Sequence, residues 1–356
     1  MTIENAGVPS LRVAWWNLEN LFDTVDDPIS RDFEFTPAQG WTEEAYAAKR
    51  ANLAAVLDEL GPELLGVAEV EGDQVFADLL AETANPHLKV VEDPGGTSDL
   101  RGIDVSLAYD ERQLSVVDAR SHVVHLRYRT RDIFEVVFEL TDTGEQFVVM
   151  ASHWPSRRIG RRESEALRIA VAENLSYLLR EHLLVDSITY EELRAAGDLA
   201  PVLERWETPV LLTGDFNDEP SDSSVVDHLQ ASSELDRVTG PTNDIDGFRA
   251  QTADYRETDA FLYNPCWRFL APENVGTFFI SSTPVGEAFA NRYQVLDQVV
   301  VSRGLLKADG LRLDVDSVEI FSAPSVATPS GRPRPFDRRT LNGTSDHLPL
   351  IATLRY

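Results

Sequence analysis

Polar islands close the strand-like apolar runs of this chain, and that placement restricts the fold more than any single motif. Asn17 and Glu19 follow Arg12-Val13-Ala14-Trp15-Trp16, Glu69 follows Leu64-Leu65-Gly66-Val67-Ala68, and His153 follows Phe147-Val148-Val149-Met150-Ala151. Asp215 and Asn217 stand in Gly214-Asp215-Phe216-Asn217, and Asp346 and His347 follow Ser345, each pair beside a further apolar run. Polar residues at strand ends, instead of scattered over helix faces, imply one site assembled from many strands of a layered sheet protein.

The remaining periodicity supports such a protein. Ala47, Ala51, Ala54, Ala55, Leu57 and Leu60 recur at helical spacing; Thr42 caps that helix, Glu43 and Glu44 suit its first turn, and Gly61-Pro62 stops it. Further helices are predicted at 75–80 and 162–184, with another helical stretch at 190–206. Strands are predicted at 88–91, 103–109, 114–117, 133–140 and 146–152, the last two joined by Asp142-Thr143-Gly144, and then at 209–213, 277–280, 294–302 and 348–354. Residues 23–40 and 232–255 read as loops. Strand and helix alternate early while paired strands dominate the middle, which implies an α/β protein with more than one sheet. No linker rich in Pro, Gly and Ser divides the chain, so one domain over 11–356 with a tail at 1–10 is expected.

Composition narrows the class. An apolar content of 43 % supports a large core, and a formal charge of −28 weakens long-range attraction to nucleic acid or anionic membrane without forbidding a local basic patch. Lysine is confined to Lys49, Lys89 and Lys307, so the basic residues are overwhelmingly arginine. A single cysteine, Cys266, excludes an internal disulfide and a thiolate metal cluster. The first residues lack the basic start and apolar core of a signal peptide, and no apolar run approaches the roughly 20 residues that cross a bilayer. A cytoplasmic protein without membrane insertion is expected.

The islands carry recognisable chemistry. Asp215 and Asn217, two apart at an extended end, point to one face; a carboxylate that orients or deprotonates water beside an amide that holds a phosphate oxygen is sensible there. The same residues also terminate strands as a turn. Asn17, Glu19 and Glu69 offer oxygen donors in low number, which suits magnesium or manganese. Asp297 lies in the apolar run Leu296-Asp297-Gln298-Val299-Val300-Val301, where a carboxylate is costly unless paired. His347 is its natural partner, and Asp346 beside it diverges toward a metal. The histidines His87, His122, His125, His182 and His228 lack such company and read as structural. Arg157 and Arg158, with Arg161 and Arg162, serve either as phosphate contacts or as a solvated helix start pairing with Glu163 and Glu165. Arg101 is a further candidate phosphate contact. Asp23, Asp26 and Asp27 read as solvated acids.

Taken in order, Trp16-Asn17-Leu18-Glu19, Ala68-Glu69-Val70, Arg101-Gly102-Ile103-Asp104-Val105, Ser152-His153-Trp154, Gly214-Asp215-Phe216-Asn217, Leu296-Asp297-Gln298 and Ser345-Asp346-His347 resemble the endonuclease/exonuclease/phosphatase superfamily over 11–356. The resemblance implies an α/β, four-layer sandwich with two stacked mixed β-sheets flanked by helices and a metal site at one edge. It implies Mg2+ or Mn2+ served by Asn17, Glu19, Glu69 and Asp346. Asp215 would orient or deprotonate the attacking water with help from Asn217, and His153 and His347 would contact the scissile phosphate, with Asp297 behind His347. Two departures matter. Tyr293-Gln294-Val295-Leu296-Asp297-Gln298 lacks the Pro-x-Trp-Cys-Asp-Arg motif of inositol polyphosphate 5-phosphatases, and no basic, aromatic-interleaved nucleic-acid face is evident. Phe261-Leu262-Tyr263-Asn264-Pro265 and Gly276-Thr277-Phe278-Phe279 are similar to those of a bacterial subgroup. The implied activity is phosphodiester hydrolysis by in-line water attack, foremost as a nuclease with nucleic acid as substrate. A phosphomonoesterase, or a diesterase for a small ligand or lipid headgroup, is the alternative, and a catalytically silent phosphate-binding module the second. No protein partner is indicated.

Overall fold

Both faces of the first strand are apolar because both are covered. In the computed structural model, which describes residues 9–27, 30–126, 129–239, 262–281 and 291–356, Ser10–Leu21 (β1) lies inside a sheet. Its Leu11, Val13 and Trp15 enter the core between two sheets, while Ala14, Trp16 and Leu18 turn outward against helices. A strand buried on both sides must read as a near-continuous apolar run.

The first sheet contains β1, Leu64–Val70 (β2), Leu88–Val90 (β3), Asp104–Asp110 (β4), Arg312–Ile320 (β14) and Leu350–Arg355 (β15), in the order β14-β15-β1-β2-β4-β3. The second contains Leu114–His122 (β5), Ile133–Leu140 (β6), Gln146–His153 (β7), Val210–Asp215 (β8), Ala231–Ser232 (β9), Leu262–Tyr263 (β10) and Asp297–Val301 (β13), in the order β5-β6-β7-β8-β13-β10-β9. A ribbon pairs Phe278–Phe279 (β11) with Tyr293–Gln294 (β12). Both sheets are mixed: β1 runs parallel to β2, and β7 parallel to β8, among antiparallel neighbours.

Helices complete four layers. Glu43–Leu60 (α1) and Asp73–Leu80 (α2) pack Leu53, Leu57 and Phe76 against Leu65 and Val67 of the first sheet. Arg161–Leu183 (α3) packs Val171 and Leu175 against Val148, Met150 and Leu212 of the second. Full burial of such a side chain is worth about 1.5–3 kcal/mol, so these contacts hold the layers. The predicted cap of α1 is present: Thr42 Oγ1 accepts the Ala45 N–H at 3.2 Å, and Gly61 ends the helix at φ 57°.

Several elements differ from expectation, among them the short strands β9 and β10 and a short helix, Leu235–Thr239, inside the expected loop 232–255. Arg312–Ile320 is a strand that the sequence reading missed; it is an edge strand interrupted by acids and a register shift between Asp314 and Glu319, so it has no clean alternation. The single strand expected at 294–302 is two, because Val295 and Leu296 leave the ribbon before β13 enters the second sheet. The helical stretch at 190–206 breaks at Gly197 (φ 73°) into Ser187–Ala196 (α4) and Ala200–Trp206 (α5). Among the described residues of 23–40 are two short helical turns; residues 28–29 of that loop, 240–255 of the 232–255 loop, Phe261 and tail residues 1–8 lie outside the described residues.

Candidate active site

Asp215 ends β8, and the ladders on its two sides place His153 of β7 and Asp297 of β13 directly opposite it. Gly214 permits that closeness, since a Cβ there would lie 2.1 Å from the Ser152 carbonyl oxygen. The first sheet supplies the facing half. Asn17 pairs with Ala68 and the register then skips to Leu21 and Val70. Glu19 (φ 54°) and Glu69 (φ 62°) take up the skip in the left-handed region, as does Asn217 (φ 51°) after β8. Non-glycine residues held there cost on the order of 1–3 kcal/mol each and cluster where a side chain must be re-aimed.

Hydrogen bonds stitch the halves together. Trp15 Nε1 donates to Asp297 Oδ1 at 2.8 Å, Asn17 Nδ2 to Asp215 Oδ2 at 3.1 Å, and Trp16 Nε1 to the His347 carbonyl at 3.0 Å. Ser345 Oγ donates to the Asn17 carbonyl at 2.6 Å and accepts the His347 N–H at 3.1 Å.

Two buried histidines face Asp215. His153 Nε2 is 3.5 Å and His347 Nε2 3.8 Å from Asp215 Oδ2. His347 Nδ1 is 2.7 Å from Asp297 Oδ2, the expected pair. Burial works against charging His347, yet the Asp297 and Asp215 carboxylates outweigh it and hold its pKa well above the usual range. Burial drives His153 the other way, well below that range, with the charges of Arg131, His347 and Arg101 adding to the effect. Burial also pushes the Asp215 carboxyl up to about 6; the His347 cation opposes this and Asp297 reinforces it. Asp215, Asp297 and His347 bring potential ligand atoms within 4.8 Å of one another, with His347 Nδ1 and Asp297 Oδ2 already engaged with each other.

Glu69 and Asp346 line the adjoining cavity of about 400 Å³. Glu19 lies behind them, its Oε2 accepting the Phe336 N–H at 3.0 Å. Burial and the neighbouring Asp346 push Glu19 up to about 7, and burial, partly countered by His347 and reinforced by Glu69, raises Asp346. An all-oxygen set that cannot hold its full negative charge unaided fits a divalent cation. Asn17 Oδ1 accepts the Glu19 N–H at 3.0 Å, so its amide bridges Glu19 to Asp215.

Lys49, absent from the sequence-based candidates, is buried beneath these acids and donates from Nζ to the Glu19 carbonyl. Burial pulls it down to about 8 while Glu19 and Asp346 oppose that. Its signal was its position in α1, four residues from both Ala45 and Leu53 on the inward face.

The arginines divide. Arg101, Arg131, Arg157 and Arg158 all line the cavity with Phe278, Ile280 and Leu296. Arg157, expected to meet phosphate, is instead held by the protein: it donates to Asp218 at 2.9 Å, Asp222 at 2.7 Å and Gln294 at 2.7 Å, and also to the Asn217 carbonyl. Asn217 likewise spends its amide on the Trp154 carbonyl at 3.0 Å. Arg101 donates to Asn20, and Arg131, not foreseen, donates to the Trp154 carbonyl at 2.6 Å. Arg158 is exposed at the rim. His87, His122, His182 and His228 pair with Glu111, Glu135, Glu135 and Glu173, away from the cavity.

The fold is a four-layer sandwich whose strand ends gather carboxylates, histidines and arginines around one cavity. The sequence profile of the endonuclease/exonuclease/phosphatase family matches residues 12–270, and the chain belongs to that family of metal-dependent phosphoester hydrolases. Similar solved structures include the human Nocturnin catalytic domain with bound sulfate (15 % identity, covering 98 % of this chain and 94 % of that one, TM-score 0.51). A mannosyl-6-phosphatase of Bacteroides thetaiotaomicron (15 %, 97 % and 100 %, 0.50) and D. rerio TDP2 complexed with a single-stranded DNA product (12 %, 98 % and 99 %, 0.51) are also similar. No curated protein sequence matches. Among the described residues no helix is long and apolar enough to cross a membrane.

Proposed function

We propose that this chain is a magnesium- or manganese-dependent phosphodiesterase, foremost a nuclease, with residues 11–356 as one catalytic domain acting in the cytoplasm. The observation that carries the reading is Asp215 facing two buried histidines, His153 and His347, in an arginine-lined cavity.

Glu69 and Asp346 would hold the cation, with Glu19 and Asn17 behind them. When bound, that ion neutralises charge on the phosphoryl oxygens. The chain's own groups supply the rest. Asp215, whose carboxyl burial raises to about 6, takes the proton of the attacking water. His347, kept protonated by Asp297, presents Nε2–H to the oxygen on which charge builds, and neutral His153 offers a second donor. Arg101, Arg131 and Arg158 hold the phosphate at the cavity wall; Arg157 fixes the loop that carries Asn217.

A second reading, a phosphomonoesterase or small-ligand diesterase, is favoured by the confined cavity of about 400 Å³ and the charge of −28. The mannosyl-6-phosphatase likeness is compatible with it. Hydrolysis of plasmid, single-stranded oligonucleotide, a chromogenic diester and a chromogenic monoester should be compared, each with EDTA and with Mg2+ or Mn2+ restored. The nuclease reading expects both nucleic acids and the diester to be cut only with added metal. Turnover of the monoester alone selects the second reading, and phosphate binding without turnover on any substrate rejects both.

A further inference from the structure

The loop after β1 returns to the end of β2 and closes a second carboxylate cluster apart from the cavity. One carboxylate oxygen from each of Asp27, Asp32 and Glu71 lies within 4.8 Å of the other two. Asp32 is only 1 % exposed; its Oδ2 accepts the Asp27 N–H at 3.1 Å, while its Oδ1 is buried without a hydrogen-bond partner. Glu71 Oε2 accepts the Asp23 N–H at 2.7 Å.

An unsatisfied carboxylate oxygen in the interior is expensive, and bringing two more carboxylates to it adds repulsion. A cation removes both costs. The donors are all oxygen, come from an irregular loop and a strand end, and leave room in the coordination shell for water. Calcium accepts such a set, whereas magnesium demands near-octahedral geometry. We propose that Asp27, Asp32 and Glu71 bind a calcium-class divalent cation that fastens the loop after β1 to the end of β2. The loop has a reason to be fastened. Phe22 and Phe35 stack at 4.1 Å beneath it, and the Arg31 N–H donates to the Leu100 carbonyl at 2.7 Å, next to the cavity residue Arg101.

The test is thermal unfolding and calorimetric titration of the full chain, stripped with EDTA and titrated with CaCl2, beside Asp32→Asn and Glu69→Ala. Wild type is expected to gain about 3 °C or more in Tm at a hundredfold excess of Ca2+ over Kd. Glu69→Ala, which alters only the cavity, keeps that gain. Asp32→Asn loses it, yet in EDTA is at least as stable as wild type because repulsion is relieved. If Asp32→Asn does not fold, Glu71→Gln carries the same comparison. Absence of a calcium shift in wild type, its survival in Asp32→Asn, or its loss in Glu69→Ala overturns the proposal. Because Glu69→Ala separates the two sites, this outcome is independent of the phosphoesterase reading.

Discussion

His153, at the end of β7, and His347, just before β15, approach one Asp215 oxygen, and their pKa values are pushed in opposite directions. Both are buried, so burial is not the difference. His347 has Asp297 at 2.7 Å from Nδ1, itself held by Trp15, whereas the Nδ1 of His153 has no hydrogen-bond partner and the cations Arg131, His347 and Arg101 oppose its charging. One carboxylate, delivered by one strand, separates an acid from a neutral donor. A protein can therefore use one residue type for two jobs when the neighbouring strand differs.

The most damaging way to break the pair is to remove what both face. Asp215→Asn should lower kcat by about 10³-fold or more while the chain stays folded. In wild type, kcat/KM should fall as pH drops through about 6 or somewhat below, as Asp215 takes up its proton and a bound cation moves that point downward. Next comes the asymmetry itself. Asp297→Asn should cost about 10²–10³-fold in kcat and move the His347 ring-proton titration down toward the ordinary histidine range, read by NMR. A His347 that remains protonated to high pH in this variant would show that Asp215 alone charges it. His153→Gln should cost less, about 10–10²-fold, and leave the pH profile in place, because a neutral donor replaces a neutral donor.

The mildest test lies in a histidine–carboxylate cluster outside the cavity. His122 and His182 each lie 3.1 Å from buried Glu135. Burial pushes the Glu135 carboxyl up, but hydrogen bonds from His122 and His182 overcome it and hold the pKa down at about 2, against 4.5 ordinarily. A depressed carboxyl stabilises the fold fully above the ordinary value and loses that contribution as pH falls toward the depressed one. Glu135→Gln should leave turnover unchanged and cost about 1–3 kcal/mol at neutral pH by denaturant unfolding. That deficit should close between about pH 4.5 and 2. A loss of turnover would mean that the cluster reaches the site.

Legibility followed local grammar. Asn17, Glu69, His153, Asp215 and His347 stood out because each closes or borders an apolar run, and the Asp297–His347 pair because an acid inside such a run demands a partner. The partners of Arg157 were not legible because a guanidinium advertises charge but not what it meets; Asp218 and Asp222, more than 60 residues on, both engage it. Lys49 was hidden because a lysine on a helix normally reads as solvated, and only packing shows that its amine is buried against Glu19. Arg312–Ile320 was hidden because an edge strand tolerates the acids that blur its alternation.

From the amino acids alone came the layered α/β class, the strand-end residues and an oxygen-rich chemistry, since periodicity and side-chain type are local properties. Which histidine sits beside a carboxylate, which arginines the protein itself engages and which carboxylates crowd together were decided only by the tertiary structure. Charge state depends on desolvation and on neighbours within a few ångströms, and those neighbours are remote in sequence.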